Sequence, residues 1–109
     1  MTDCIQVMTT VEERAQAEEI AEALLDAQLA ACVQVVGPIT SYYRWQGKKE
    51  QSAEYLCLIK SRRHLYDELE ALIRKSHPYE VPEILAVPVV AGSTSYLDWL
   101  AHEVREEGK

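Results

Sequence analysis

His77, Tyr79, Glu80 and Glu83 lie close together in the stretch "RKSHPYEVPEI", residues 74–84, punctuated by Pro78 and Pro82. An imidazole beside carboxylates is a donor set that suits copper or zinc. Pro78 strengthens that reading, because a residue before proline is pushed out of the helical region and its side chain is placed at a fixed joint. The plainer reading is mechanical. Two prolines stop a helix and aim the next strand, and a protonated His77 would sit favourably at the helix C-terminus. A firm metal site would need further ligands from elsewhere in the fold or from a neighbouring subunit.

The other donors are scattered. Cys4, Cys32 and Cys57 occupy apolar, strand-like contexts in which a thiol behaves as a small hydrophobe, while His64 and His102 fall on predicted helices where exposure is expected. No HExxH, CxxC or calcium-loop spacing is present, and neither is a GxSxG elbow, a P-loop or a dinucleotide fingerprint. A Cys32–His77 pair is the one nucleophile arrangement left open, and an enzyme is not expected. Ligand sites are concave and favour interfaces, so a cleft between subunits lined by Trp45, Lys60, Tyr79 and Glu83 is the expected pocket. No cofactor is required by any motif.

The chain as a whole narrows the classes. With 109 residues, 48% of them apolar, it has the material for a single domain spanning 1–109. A formal charge of −7 disfavours a phosphate backbone as partner, and the one basic cluster, Lys60, Arg62, Arg63, Arg74 and Lys75, reads as solvated surface. Neither a secretory leader nor a membrane span is expected. An odd number of cysteines without paired spacing fits a reducing, cytoplasmic setting.

Periodicity supplies the elements that must position these residues. Asp3 to Met8 reads as a strand, and Thr10 to Glu13 as a capping box opening a helix whose apolar stripe is Ala17, Ile20, Ala21, Leu24 and Leu25, to about Gln28. Ala31 to Trp45 reads as a strand bent at Gly37-Pro38; Gly47-Lys48 supplies a Gly-first turn, and Lys49 to Lys60 returns. Ser61 caps a second helix with Leu65, Leu69, Leu72 and Ile73 on one stripe. Ile84 to Val90 reads as a buried strand that Pro88 places near a sheet edge. Ser95 caps a last helix with Leu97, Leu100 and Val104 inward, before an acidic tail from Glu103 to Lys109 frays.

The order βαββαβ plus a helix predicts an α+β, ferredoxin-like sandwich with two helices on a four-stranded antiparallel sheet. Two features predict more than one copy. Leu56 and Leu58 alternate with Tyr55, Cys57 and Ile59, so both faces of one strand are apolar. An arm of about twelve residues also reaches about 40 Å, against a radius of gyration of about 13 Å for a domain this size. Its aromatic tip, Tyr42, Tyr43 and Trp45, should project toward a neighbour.

The segments "LAACVQ", "SYYRWQGKKE", "IKS", "HPYEVPEI" and "YLDWL", in this order from about Val7 to Trp99, resemble the CutA divalent-cation tolerance family. The resemblance implies a ferredoxin-like homotrimer related in shape to PII signalling proteins. It also implies a cytoplasmic location in bacteria, tolerance of copper and other divalent metals, and no established enzymatic activity. Members thought to bind copper carry a cysteine near the end of the first strand and paired histidines before the Pro-Tyr. Met8 and Ser76 stand at those places here, and only His77 carries over. Weak copper binding is the resulting expectation. The alternative is a PII-like trimer that senses a small anion through Lys60 and acts through protein partners.

Overall fold

The computed structural model describes residues 2–106. Along the chain run β1 (Cys4–Val11), α1 (Arg14–Asp26), β2 (Cys32–Trp45), β3 (Lys48–Arg62), α2 (Tyr66–Ser76), β4 (Leu85–Pro88) and α3 (Thr94–Glu103). The strands form one antiparallel sheet in the order β2-β3-β1-β4, the ferredoxin-like α+β sandwich with a long β2-β3 hairpin and a terminal helix.

Alternation explains how the sheet divides its faces. Val7, Val11, Cys57 and Ile59 point to one side and pack against Ala17, Ile20 and Leu24 of α1 and Leu69 and Ile73 of α2, all essentially sealed from water. The residues between them, Met8, Leu56 and Leu58, face the other way and stay half-buried. Helix α3 touches β1 and β3, and Leu100 and Cys4 are buried apart from the main core, so α3 shields one end of this second face. Val36, Leu85 and Val87, joined to that face by register with Leu56, Met8 and Gln6, remain exposed.

Several local expectations change. Thr10 belongs to β1, which runs on to Val11, and Glu13 opens α1 instead, its N–H donating to Gln16 Oε1 at 3.0 Å. Ser61 does not cap α2; it ends buried in β3 and donates to the Leu29 carbonyl at 2.6 Å, while a 3₁₀ turn over Arg63–Leu65 leads into the helix. Ser93 rather than Ser95 caps α3, its Oγ accepting the Tyr96 N–H. The last strand is shorter than predicted and exposed along all four residues, because it forms the sheet edge and no other described element covers it. Tail residues 107–109 lie outside the described part.

The hairpin turns at Gln46-Gly47, both with positive φ (52° and 79°), so the turn is of the two-residue kind that suits strand twist and begins one residue earlier than predicted. The arm gives the molecule its long dimension, 43 × 26 × 22 Å, with Tyr42 76% exposed near its end. At the arm's root the register slips between Val36 and Ile39. The Gly37 carbonyl there accepts from Arg14 at 3.4 Å, and the Arg14 guanidinium lies 4.9 Å above the Tyr55 ring. Gly37 leaves no room for more: an added Cβ would come 2.6 Å from Tyr55 Cδ2 and 3.1 Å from the Glu54 carbonyl oxygen. Gly37→Ala should therefore cost about 1–3 kcal/mol in urea unfolding, the range for overpacking. A change within 0.5 kcal/mol, the ordinary range at a free surface position, would contradict this close fit.

Candidate functional site

Beyond α2 the chain must return to the sheet, and His77 makes the turn in extended conformation (φ −83°, ψ 134°), as a residue before proline should. Its ring is nearly buried. Nε2 lies 2.8 Å from the Thr10 carbonyl oxygen, which only accepts, so Nε2 carries the proton. Nδ1 in turn accepts the Tyr79 N–H at 3.1 Å. Both nitrogens are thus engaged, and a metal could reach the ring only by breaking one of these bonds. Burial lowers the His77 pKa below its ordinary value, outweighing the Thr10 carbonyl and the Glu54 carboxylate, which favour the cation. The mechanical reading of the joint therefore holds with different physics. The ring is a neutral pin on β1, not a positive charge at the end of a helix.

Tyr79 pins the same segment to β3. Its ring meets His77 edge-on at 4.8 Å, and its hydroxyl donates to Glu54 Oε2 at 2.8 Å. Glu54 is only 7% exposed. Burial, and then this hydrogen bond, push the Tyr79 phenol far above its ordinary pKa, so it stays a donor.

Between the hairpin and the Tyr79–Glu83 segment lies an open groove of about 760 Å³. Glu12, Glu54, Glu80 and Glu83 line it with carboxylates, and Tyr42, Tyr43, Trp45 and Tyr79 supply aromatic walls. Among the described residues, no lysine, arginine or histidine lines it. Partial burial, followed by the nearby Glu54, raises the Glu83 carboxyl above its ordinary value, although much of that residue stays exposed.

Three of the four residues expected in a pocket, Trp45, Tyr79 and Glu83, do converge. Lys60 does not join them within one chain. It lies six residues beyond Glu54 on β3, level with Cys32 and Gln6, and donates to Gln34 Oε1 at 2.7 Å. Six residues of strand span about 20 Å. Glu54 and Glu12 were missed; the available signal was an acidic residue in phase with Leu56 and Leu58 on an apolar face.

Among the described residues, no three of His, Cys, Asp and Glu are grouped to hold a metal. Burial pushes the Cys57 thiol up to about 11, away from the thiolate that ligates. Cys32 sits at the Lys60 end of the sheet while His77 is fastened at Thr10, level with Leu56, so that pair is not assembled. His64 is half-buried rather than exposed, its Nε2 3.0 Å from the Arg105 carbonyl oxygen, and His102 is exposed. Met8 lies in the sheet beside Leu58 and Leu85, and Ser76 is the last residue of α2.

Residues 5–103 match the family model described as CutA1 divalent ion tolerance protein. The chain belongs to the CutA1 divalent ion tolerance family. The divalent-cation tolerance protein CutA of Thermus thermophilus is 45% identical over 94 residues, covering 86% of this chain and 91% of that protein. The chloroplastic CutA of Arabidopsis thaliana is 39% identical over 101 residues, and there the chain spans 56% of the longer relative. Among solved structures, CutA from Xylella fastidiosa superposes with a TM-score of 0.92 at 35% identity, over 95% of this chain and all of that one. Such likeness makes the CutA fold the frame for the pinned joint and the acidic groove.

Two outcomes check the pins. Folded His77 takes up a proton less readily than an unfolded histidine, which does so near 6.5, because its ring is buried. The unfolded state thus binds more protons below that value, and stability should fall as the pH drops from 6.5 toward the lowered folded pKa. His77→Gln should flatten the stability profile just below pH 6.5; an unchanged slope there would show that His77 is not its source. Tyr79→Phe strips Glu54 of its donor and should cost about 1–3 kcal/mol by denaturant unfolding, with a smaller loss arguing that water replaces the hydroxyl.

Proposed function

We propose that this protein serves divalent-cation tolerance, copper included, as a cytoplasmic homotrimer that meets metal weakly rather than holding it in a dedicated site. The observation that carries this reading is the double engagement of His77, by the Thr10 carbonyl and the Tyr79 N–H. The one ligand carried over from the copper-associated pattern has no free nitrogen, and Met8 and Ser76 stand where a thiolate and a second imidazole would be needed. What remains is the groove's carboxylate oxygens, harder and weaker donors for copper, which can attract a hydrated cation without enclosing it.

The tolerance role is supported by the names shared among the relatives. Assembly is supported by the uncovered apolar strip and the projecting aromatic arm, and a reducing compartment by three free thiols. Among the described residues no helix is long and apolar enough to cross a membrane, and the net charge of −7 argues against nucleic acid. The anion-sensing alternative is weakened by a groove that, among the described residues of one chain, carries carboxylates and no basic residue.

Copper titration of the purified protein should give a dissociation constant weaker than about 1 μM, changed little by His77→Gln, while native mass spectrometry reports three copies. A sub-micromolar, stoichiometric copper site that vanishes in His77→Gln would overturn the weak-contact reading.

A further inference from the structure

Copper is held better by an imidazole nitrogen than by carboxylate oxygen alone, so even a weak contact gains from a histidine that is free to ligate. The chain has three histidines, and two are occupied. His77 is fastened at both ring nitrogens. His64 lies 3.0 Å from the Arg105 carbonyl oxygen and borders a cleft with Arg62 and Arg63, whose charges repel a cation, while the Asp3 carboxylate there is already bound by Arg62. The thiols offer little more, since Cys4 and Cys57 are buried and Cys32 is half-buried in β2.

His102 is different. It stands exposed in the last turn of α3, and neither it nor Asp98, also exposed, joins a hydrogen bond or an ion pair among the described residues. Leu100 and Val104 are buried and fix which side of α3 faces inward, so Asp98 and His102 share the side that faces out. Four residues apart on a helix, they have Cβ atoms about 5–6 Å from one another. Helical side chains lean toward the N-terminus, which carries the His102 ring back over the turn that holds Asp98.

The surrounding charge favours a cation. Helix α3 has no lysine or arginine, Glu103 is exposed beside His102, and the C-terminal end of a helix is its negative pole. The row stops at two donors. Val104 leaves the helix in extended conformation (φ −106°, ψ 163°), so Glu106 does not continue it, in keeping with the lack of any three grouped donors among the described residues.

We propose that Asp98 and His102 together form a copper(II) contact on the outer face of α3, with one imidazole nitrogen and one carboxylate oxygen from the protein and water in the remaining positions. Mixed nitrogen and oxygen donors suit the square or tetragonal surroundings of copper(II), and copper outranks nickel and zinc at a site of this kind. Two protein ligands cannot enclose an ion, which keeps the contact weak and exchangeable. The inference rests on the weak-contact reading above and deepens it, moving the contact from the groove to α3. Trp99 supplies a reporter. It lies one turn before His102, 43% exposed and tilted against the Tyr96 ring at 5.5 Å, and copper(II) quenches a nearby indole.

The test is titration of the whole chain with copper(II), read by calorimetry and, in a Trp45→Phe background, by Trp99 emission. Wild-type protein should show one weak site that quenches Trp99 as it fills, with one histidine nitrogen on copper by electron paramagnetic resonance. His102→Ala and Asp98→Asn should each weaken binding at least about tenfold, the smallest loss usual on removing even an outer partner of a metal ligand. Glu103→Gln takes the same charge from the same helix on a different face and should leave the affinity nearly unchanged. All three positions are exposed, so circular dichroism should show the fold intact in each variant. Copper bound weakly and equally by wild type, His102→Ala and Asp98→Asn would overturn this inference and leave the weak-contact reading standing. So would equal losses in Asp98→Asn and Glu103→Gln, which charge alone explains. A sub-micromolar site lost in His77→Gln, or no copper bound at about 1 mM, would overturn both.

Discussion

Strand β3 points Cys57 and Ile59 at α1 and α2 and turns Leu56 and Leu58 the opposite way, where only α3 is available and reaches only one end. At roughly 25 cal/mol for each Å² of apolar surface taken from water, neither face can be left open without cost. The first face is closed by the chain's own helices and forms the core. The second is closed by the described residues only where α3 reaches, and most of what distinguishes the molecule lies on it or at its rim: the exposed edge strand, the projecting arm, the acidic groove and Lys60.

The joint after α2 works against the freedom such a rim would otherwise have. Pro78 and Pro82 restrict the backbone, but restriction alone does not choose a position in space. The choice is made by two polar contacts, one from the His77 ring to β1 and one from the Tyr79 hydroxyl to β3. Since these two strands are neighbours at the centre of the sheet, the segment forming one wall of the groove is referenced to the two strands that are paired on both sides. The other wall belongs to the arm, which has no such bracing near its tip.

Much of this was legible in the sequence because it depends on neighbours a few residues apart. Helical stripes, strand alternation, the break at Gly37-Pro38 and the halt at His77-Pro78 are local, and each element appears within a few residues of its predicted place. Thr10 and Ser61 misled for a physical reason. A hydroxyl residue ahead of a helix can cap it or can finish the preceding strand, and the choice fell to the β1–β3 ladder and to the Leu29 carbonyl, both distant in sequence. Glu54 was missed although its phase with Leu56 and Leu58 is local, because the hydroxyl that engages it belongs to Tyr79, 25 residues later. Trp45, Tyr79 and Glu83 were grouped on the expectation of a concave site at a subunit boundary, and within one chain it is the hairpin and the segment after His77 that bring them to one groove. His77 was found too, but its engagement at both nitrogens shows only in three dimensions.

The placement of the prolines has a consequence for how copies of this chain can meet. The two outer strands, β2 and β4, each present backbone groups with no partner strand beyond them, the kind of edge from which sheets extend without limit into fibres. Pro38 sits at the slip in β2, and Pro88 closes a β4 of four residues. Proline has no N–H to offer a new strand, so each edge carries a gap in the row of donors that open-ended growth would use. Such gaps disfavour growth along the edges and leave the apolar face as the surface that a second copy would have most to gain by covering.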